Sequence, residues 1–226
     1  MGWLDQALGG EPTAVVWIGS GALVVPLSYQ QHSRLDAVSA VFASRGWPVR
    51  LRRSGGGVVP QGPGILNLTL AYACAGAAGT RAQTVYQHLC VALSNALGSL
   101  DIVTDTRAVD GSFCDGRFNL AVTHGGIARK IAGTAQYWKR SGGVQAVLAH
   151  ALLLVDADPR QLSELCSSFE AALGSARRYD ANAVTSVAQA WQEAHPGMRV
   201  PDDLGQQFTR QLALALGQET VQPVPF

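Results

Sequence analysis

The chain has 226 residues, 47% of them hydrophobic and only 15% charged, enough apolar material for one substantial core and too little charge for a disordered chain. Its 17 basic and 16 acidic side chains leave a formal charge of +1, so there is no electrostatic footprint for nucleic acid or an anionic membrane. Within that balance 15 of the basic residues are arginine, and only Lys130 and Lys139 are lysine; each lysine invites the question why arginine does not serve. The longest apolar stretch near the start, 14–27, is shorter than a membrane span and is broken by Gly19, Ser20 and Gly21. Asp5 and Glu11 stand where a secretory leader would carry positive charge. A cytoplasmic protein is expected, with a single domain over 1–217 and a non-periodic tail over 218–226. Cys74, Cys90, Cys114 and Cys166 form no Cys-x-x-Cys pair and have no histidine at ligand spacing, so neither a metal site nor disulfides are expected.

Apolar runs bounded by glycine and proline alternate with helical patterns. In chain order the pattern predicts strands at 14–18 and 22–27, a helix at 33–45 capped by Ser33, strands at 48–53 and 65–72, and a helix at 81–98. Strands at 102–106, 118–122, 127–138 and 143–155 follow. The last helices are placed at 159–173, where Asp158 caps and Pro159 takes the first helical position, and at 182–194 and 202–216. Strands outnumber helices and short glycine turns join neighbours, which favours antiparallel pairing. The expected class is α+β, a mixed and largely antiparallel sheet flanked by helices.

Two segments carry chemistry. Residues 50–67, RLRRSGGGVVPQGPGILN, run an arginine-bearing strand into Gly55, Gly56 and Gly57. Three glycines let the backbone approach a ligand and turn its N–H groups toward an acyl or phosphate group; a wide hairpin or bulge that needs glycine for geometry is the alternative. The spacing fits neither a Walker loop nor a dinucleotide fingerprint. Residues 112–138 place a cysteine in a turn-rich stretch, then a strand, the turn His124-Gly125-Gly126, and a second strand through Lys130. A hairpin about that turn brings Lys130 back toward Cys114 and Asp115. A lysine beside a thiol favours the thiolate, a common way to activate a cysteine nucleophile; a surface lysine near a turn cysteine that merely packs is the alternative. Gly133, Thr134 and Ala135, all small, suit a crowded site.

Taken together, these segments resemble the superfamily of lipoate-protein ligases, octanoyltransferases and biotin ligases. Arg52, Ser54 and Gly55 to Gly57 match its Arg-Arg-x-Ser/Thr-Gly-Gly-Gly stretch, with Leu51 where an arginine is usual. Lys130-Ile131-Ala132-Gly133-Thr134-Ala135-Gln136 matches its lysine motif throughout, His150 stands at the family histidine, and AVTSV at 183–187 is similar to a family helix start. The resemblance implies the biotin/lipoate-ligase fold, like that of class II aminoacyl-tRNA synthetases. It also implies Arg52, Ser54, Gly55, Gly56, Gly57, Gln61, Gly133, Thr134, Ala135, Gln136 and His150 as substrate-binding positions. Ser112-Phe113-Cys114-Asp115-Gly116 resembles the stretch of octanoyltransferases whose cysteine precedes the lysine, which selects Cys114 as nucleophile and Lys130 as its catalytic partner. Cys166 falls on the apolar face of a predicted helix and reads as core.

That branch implies transfer of an octanoyl or lipoyl group from acyl carrier protein, or from an acylated lipoyl-type protein, through a Cys114 thioester. The acceptor would be a lysine on a lipoyl domain of a 2-oxoacid dehydrogenase or on glycine cleavage H protein, with no cofactor required. An ATP- and Mg-dependent lipoate-protein ligase, or a non-catalytic binder of lipoyl domains or acyl carrier protein, are the rival readings. Leu66 and Leu68 are expected to line an acyl slot. Gln61 replaces a usual histidine and Gln6, in Asp5-Gln6-Ala7, replaces a carboxylate, which points to altered specificity. His32, His88, His124 and His195 show no catalytic pattern, and the dispersed tryptophans Trp3, Trp17, Trp47, Trp138 and Trp191 read as packing.

Overall fold

The computed structural model describes residues 2–217 and, as backbone, Gln222–Val224. A short helix α1 (Trp3–Leu8) leads into β1 (Thr13–Ile18) and β2 (Ala22–Pro26), and a 3₁₀ turn (Leu27–Gln31) into α2 (Leu35–Ser44). There follow β3 (Val49–Arg52), β4 (Val59–Gln61), β5 (Ile65–Ala73), the long α3 (Ala78–Gly98), β6 (Asp105–Thr106), β7 (Leu120–His124), β8 (Ile127–Ser141) and β9 (Val144–Leu154). The last elements are α4 (Pro159–Ala172), a 3₁₀ turn (Ala181–Ala183), α5 (Val187–Ala194), α6 (Leu204–Ala215) and β10 (Gln222–Val224). Among the described residues no helix is long and apolar enough to cross a membrane.

Seven strands make one sheet in the order β10-β1-β5-β9-β8-β7-β6, antiparallel except where β10 runs parallel to β1. A second sheet, β3-β2-β4, pairs β2 parallel to β3 and antiparallel to β4. The fold is mixed α+β with a large antiparallel sheet flanked by helices. One core lies between the large sheet and α3, α5 and α6, through Leu68, Leu89, Leu93, Leu97, Ile131, Leu153 and Phe208. A second core joins the small sheet to α2 and α4 through Leu23, Val25, Phe42, Val58, Phe113 and Phe169. Cys166 belongs to it, fully buried.

Local chemistry explains the boundaries. Asp158 caps α4 by accepting from Arg160 N at 2.8 Å, with Pro159 next. Ser33 is not a cap: α2 begins at Leu35, with Arg34 at the cap position and no side-chain bond. The helix expected from 182 starts at Val187, because Val184 pairs with Lys130 and Ser186 closes a capping box with Gln189. The sequence pattern misses α1 and the three-residue β4. Of the expected tail, Gln222–Val224 pair with β1, and the other tail residues lie outside the described residues.

Replacing Ser186 with alanine removes the cap that starts α5 immediately after the strand-like contact to Lys130. We expect a loss of about 1 kcal/mol, read from urea denaturation; an unchanged midpoint would contradict the capping role.

Candidate active site

The tight turn at Gly125 and Gly126, with φ values of 57° and 80°, is the left-handed geometry of a two-residue hairpin loop. It pairs His124 with Ile127 and, in the same register, Ala121 with Lys130, before an irregularity at Leu120/Ala121 shifts the next pair to Leu120 and Ala132. Lys130 therefore points off β8 into the segment before β7. Its ammonium donates to the carbonyl oxygens of Phe113 at 2.7 Å and Cys114 at 2.9 Å, and sits 5.5 Å from the Phe113 ring centre. Only 3% of the residue is exposed. Burial pulls its pKa down to about 8, against the opposing pull of Cys114 and Asp115. Gly133 leaves the ammonium room, since a Cβ there would lie 3.1 Å from both Lys130 Cε and Nζ and push the side chain aside.

Cys114 has φ 49°, a left-handed conformation uncommon for a side-chain-bearing residue and concentrated at functional sites. Its sulfur receives Arg52 Nη2 at 3.5 Å. Arg52 is itself held by the carbonyls of Val24 at 2.7 Å, Gly55 at 3.0 Å and Gly57 at 2.7 Å. Gly55 and Gly57 thus turn carbonyls toward Arg52 and aim its guanidinium at the thiol. Gly56, at φ 107°, lets the sulfur approach, since a Cβ there would fall 2.5 Å from Cys114 Sγ. Behind Gly57 lie Tyr179 and Arg177, and Tyr179 shares the buried Glu170 Oε1 with Tyr29. Burial and Glu170 together push the Tyr29 phenol up to about 12. The small turn before β7 is braced by Asp115, which accepts from Val109 N and Asn119 Nδ2, both at 2.8 Å.

A cavity opens over this pair in two adjoining lobes. The inner lobe, about 90 Å³, is lined by Phe113, Cys114, Lys130, Gly133, Thr134, Val59 and Leu152. The outer, about 700 Å³, is lined by Trp17, Ala22, Arg50, Arg53, Gln136, Tyr137 and Leu148. Val24, Arg52, Ser54, Gln61, Ala135 and His150 line both. Leu66 and Leu68 do not reach it. They pack in the core against α3, 5% and 0% exposed, and a period-two strand then sends Asn67 and Thr69 to the other face. Asn67 exchanges two 2.8 Å amide bonds with Gln61, so the Gln61 amide is occupied and shapes the wall. Gln136 also spends its amide locally, donating to Ala82 O at 2.9 Å and accepting from Trp138 Nε1 at 3.0 Å. Thr134 donates to Phe118 O at 2.6 Å.

His150 pairs with Ala135 of β8 and Thr69 of β5; its Nδ1 meets Thr69 Oγ1 at 3.1 Å. Burial and the nearby Arg52 lower its pKa to about 4, so the ring is neutral at physiological pH. Trp17, expected only to pack, lines the outer lobe and donates through Nε1 to Thr69 at 3.0 Å. The readable signal for Asn67 and Thr69 is two polar residues at alternate positions of the otherwise apolar ILNLTLAY. The other lysine, Lys139, serves elsewhere, pairing with Asp5 at 2.5 Å with both side chains well exposed.

The family model described as the lipoyl protein ligase A/B catalytic domain matches residues 6–209. The chain belongs to this family. It is 48% identical over 225 residues to an uncharacterised protein of Cupriavidus necator, an alignment spanning 95% of this chain and 88% of that protein. An octanoyl-[GcvH]:protein N-octanoyltransferase of Kyrpidia tusciae is 35% identical over 194 residues, 80% of this chain, and the match spans 63% of that enzyme's length. The fold is also that of lipoate-protein ligase A solved with ATP, at a TM-score of 0.66 and 17% identity over 99% of this chain and 80% of that one.

Two outcomes test the geometry. Because the folded Lys130 binds its proton more weakly than the unfolded chain, whose lysine titrates near 10.5, stability gains as pH rises from about 8 toward 10.5. Denaturation midpoints of the wild type should climb through that window relative to Lys130→Met, and parallel profiles would refute the burial of the ammonium. Gly56→Ala, forced into a left-handed conformation against the Cys114 sulfur, should cost about 1–3 kcal/mol. Gly55→Ala, with nothing within 4 Å of an added Cβ, should be near neutral; equal losses would remove the steric argument.

Proposed function

We propose that this chain is an acyltransferase that moves an octanoyl or lipoyl group from a carrier protein to a lysine of a lipoyl-domain protein through a Cys114 thioester. The observation that carries the reading is a strained cysteine whose sulfur meets a guanidinium held by glycine-loop carbonyls, in the same small lobe as a buried lysine. The guanidinium gives the attacking sulfur a charged hydrogen-bond partner.

The thiolate attacks the donor thioester carbonyl; the tetrahedral intermediate expels the carrier thiolate, leaving acyl-Cys114. The acceptor amine then attacks that carbonyl, the C–S bond breaks, an amide forms, and the amine proton leaves with the thiol. Arg52 remains charged throughout. An ammonium has three donors, and Lys130 spends two on carbonyls, which leaves one for the oxyanion. Preorganised donors of this kind are worth several kcal/mol in a water-poor site. The 90 Å³ lobe has room only for the reacting group, whereas the 700 Å³ lobe is in the range of small-molecule sites. Trp17, Ala22, Val24 and Leu148 give it apolar wall for an acyl chain, each buried methylene contributing about 0.8 kcal/mol.

No ATP or Mg enters this scheme, because a thioester already carries the activation that an adenylate would supply. The Kyrpidia relative, an octanoyl-[GcvH]:protein transferase by name, supports glycine cleavage H protein as a carrier; acyl carrier protein and lipoyl domains of 2-oxoacid dehydrogenases fit the same chemistry.

Incubation with octanoyl-glycine cleavage H protein or octanoyl-acyl carrier protein should add one hydroxylamine-labile octanoyl group, seen by intact mass and absent in Cys114→Ser. No adduct, together with acyl-adenylate formed from lipoate and ATP, would replace this reading with the ligase. Neither product, with a lipoyl domain still bound, would make the chain a binding protein.

A further inference from the structure

The hydrogen-bond chain beneath the junction of the two lobes fixes a proton that the cysteine–lysine chemistry leaves unassigned. Thr69 is 1% exposed, so its hydroxyl cannot leave its proton without an acceptor except at a cost. Its oxygen already accepts from Trp17 Nε1 at 3.0 Å. Its other side-chain partner is His150 Nδ1 at 3.1 Å. The arrangement that satisfies every buried group has the indole donating to the hydroxyl and the hydroxyl donating to Nδ1. A neutral imidazole that accepts at Nδ1 carries its one hydrogen on Nε2. Among the described residues Nε2 meets no protein acceptor, and the ring lines both lobes beside Arg52, Gln61 and Ala135. Burial keeps the ring neutral, and the charged group acting on it, Arg52, is a fixed cation that pushes the same way.

We propose that Thr69, held by Trp17, is a positioning residue that locks His150 as an Nε2–H hydrogen-bond donor facing the lobe junction, where it binds the oxygen of an acyl group. This rests on the acyltransferase reading for the identity of that oxygen and on the structure alone for the tautomer. His150 is then a donor and not the base that deprotonates the incoming amine, because its only basic nitrogen is turned away from the cavity and bonded to Thr69. Trp17 does more than line the chamber: its indole N–H consumes the hydroxyl lone pair that faces it and so orients the hydroxyl proton toward the ring. The same device would not work with valine at position 69, which fills the space and supplies no proton.

The test uses the full chain labelled with ¹⁵N-histidine, with the His150 signals assigned from their absence in His150→Gln. Between pH 5.5 and 8 the wild type should show a pyrrole-type Nε2, a pyridine-type Nδ1 and no titration. Thr69→Val should bring in Nδ1 protonation, and Thr69→Ser should restore the wild-type pattern. Acylation of Cys114 by octanoyl-glycine cleavage H protein should slow about tenfold in Thr69→Val, the scale of one hydrogen bond, and recover in Thr69→Ser. A wild-type ring protonated on Nδ1, or titrating near neutrality, overturns the proposal without any acyl substrate. A changed tautomer with unchanged acylation overturns the donor role. A wild type with the expected spectrum that forms no thioester upholds the lock and refutes the acyltransferase reading instead.

Discussion

One buried cation organises this molecule. Moving an ammonium out of water costs several kcal/mol even after the protein relaxes, and Lys130 sits at 3% exposure near the start of β8. What offsets that cost is specific: two main-chain carbonyls, the face of Phe113 and the nearby carboxylate of Asp115. All of these come from residues 113–115, a stretch with no regular secondary structure. The lysine therefore supplies the fixed point against which that stretch folds, and Cys114 takes its left-handed conformation because its own carbonyl and that of Phe113 must both face Nζ. A lysine on β8 thus sets where the sulfur lies without touching it.

The sulfur's direct cationic neighbour is Arg52, and the two cations are not interchangeable. Arginine presents a planar fork that three carbonyls and a thiol can share. Lysine presents a compact charge, and its Cε and Nζ lie beside Gly133, where an added Cβ would come within 3.1 Å of both. In a chain that otherwise writes nearly every cation as arginine, Lys130 places a single compact nitrogen between two carbonyls, a geometry that suits an ammonium better than a planar fork. Lys139 shows that rarity alone proves nothing, since its place is an exposed pair with Asp5.

Much of this was legible in the sequence where short-range rules operate. The two-glycine turn sets the hairpin register, the register aims Lys130 at residues 113–115, and the proline after Asp158 starts α4, each within a few residues of its signal. Long-range choices were not legible. Whether Leu66 and Leu68 or Asn67 and Thr69 face the cavity depends on which side of β5 the helices cover, and a one-residue change of phase exchanges the two sets. Three glycines allow a loop to present either its N–H groups or its carbonyls; only the position of Arg52 at the end of β3 brings the Gly55 and Gly57 carbonyls onto its guanidinium. The three-residue β4 is too short to show a period, and it forms because β2 offers it a partner edge.

Gln61 illustrates how a departure from the family pattern is absorbed. A histidine at that position would bring a titratable group into the cavity wall, next to Arg52. Glutamine brings an amide, and an amide can be matched donor for acceptor by Asn67, which is fully buried and returns both bonds. The pair is neutral at every pH and makes no demand for solvent. The polar side of the cavity is therefore built from groups that do not titrate near neutrality: an amide pair, a depressed histidine and a guanidinium. Of the charged groups lining the inner lobe, the buried ammonium of Lys130 is the one whose proton its surroundings loosen to near neutrality, because burial pulls its pKa down to about 8.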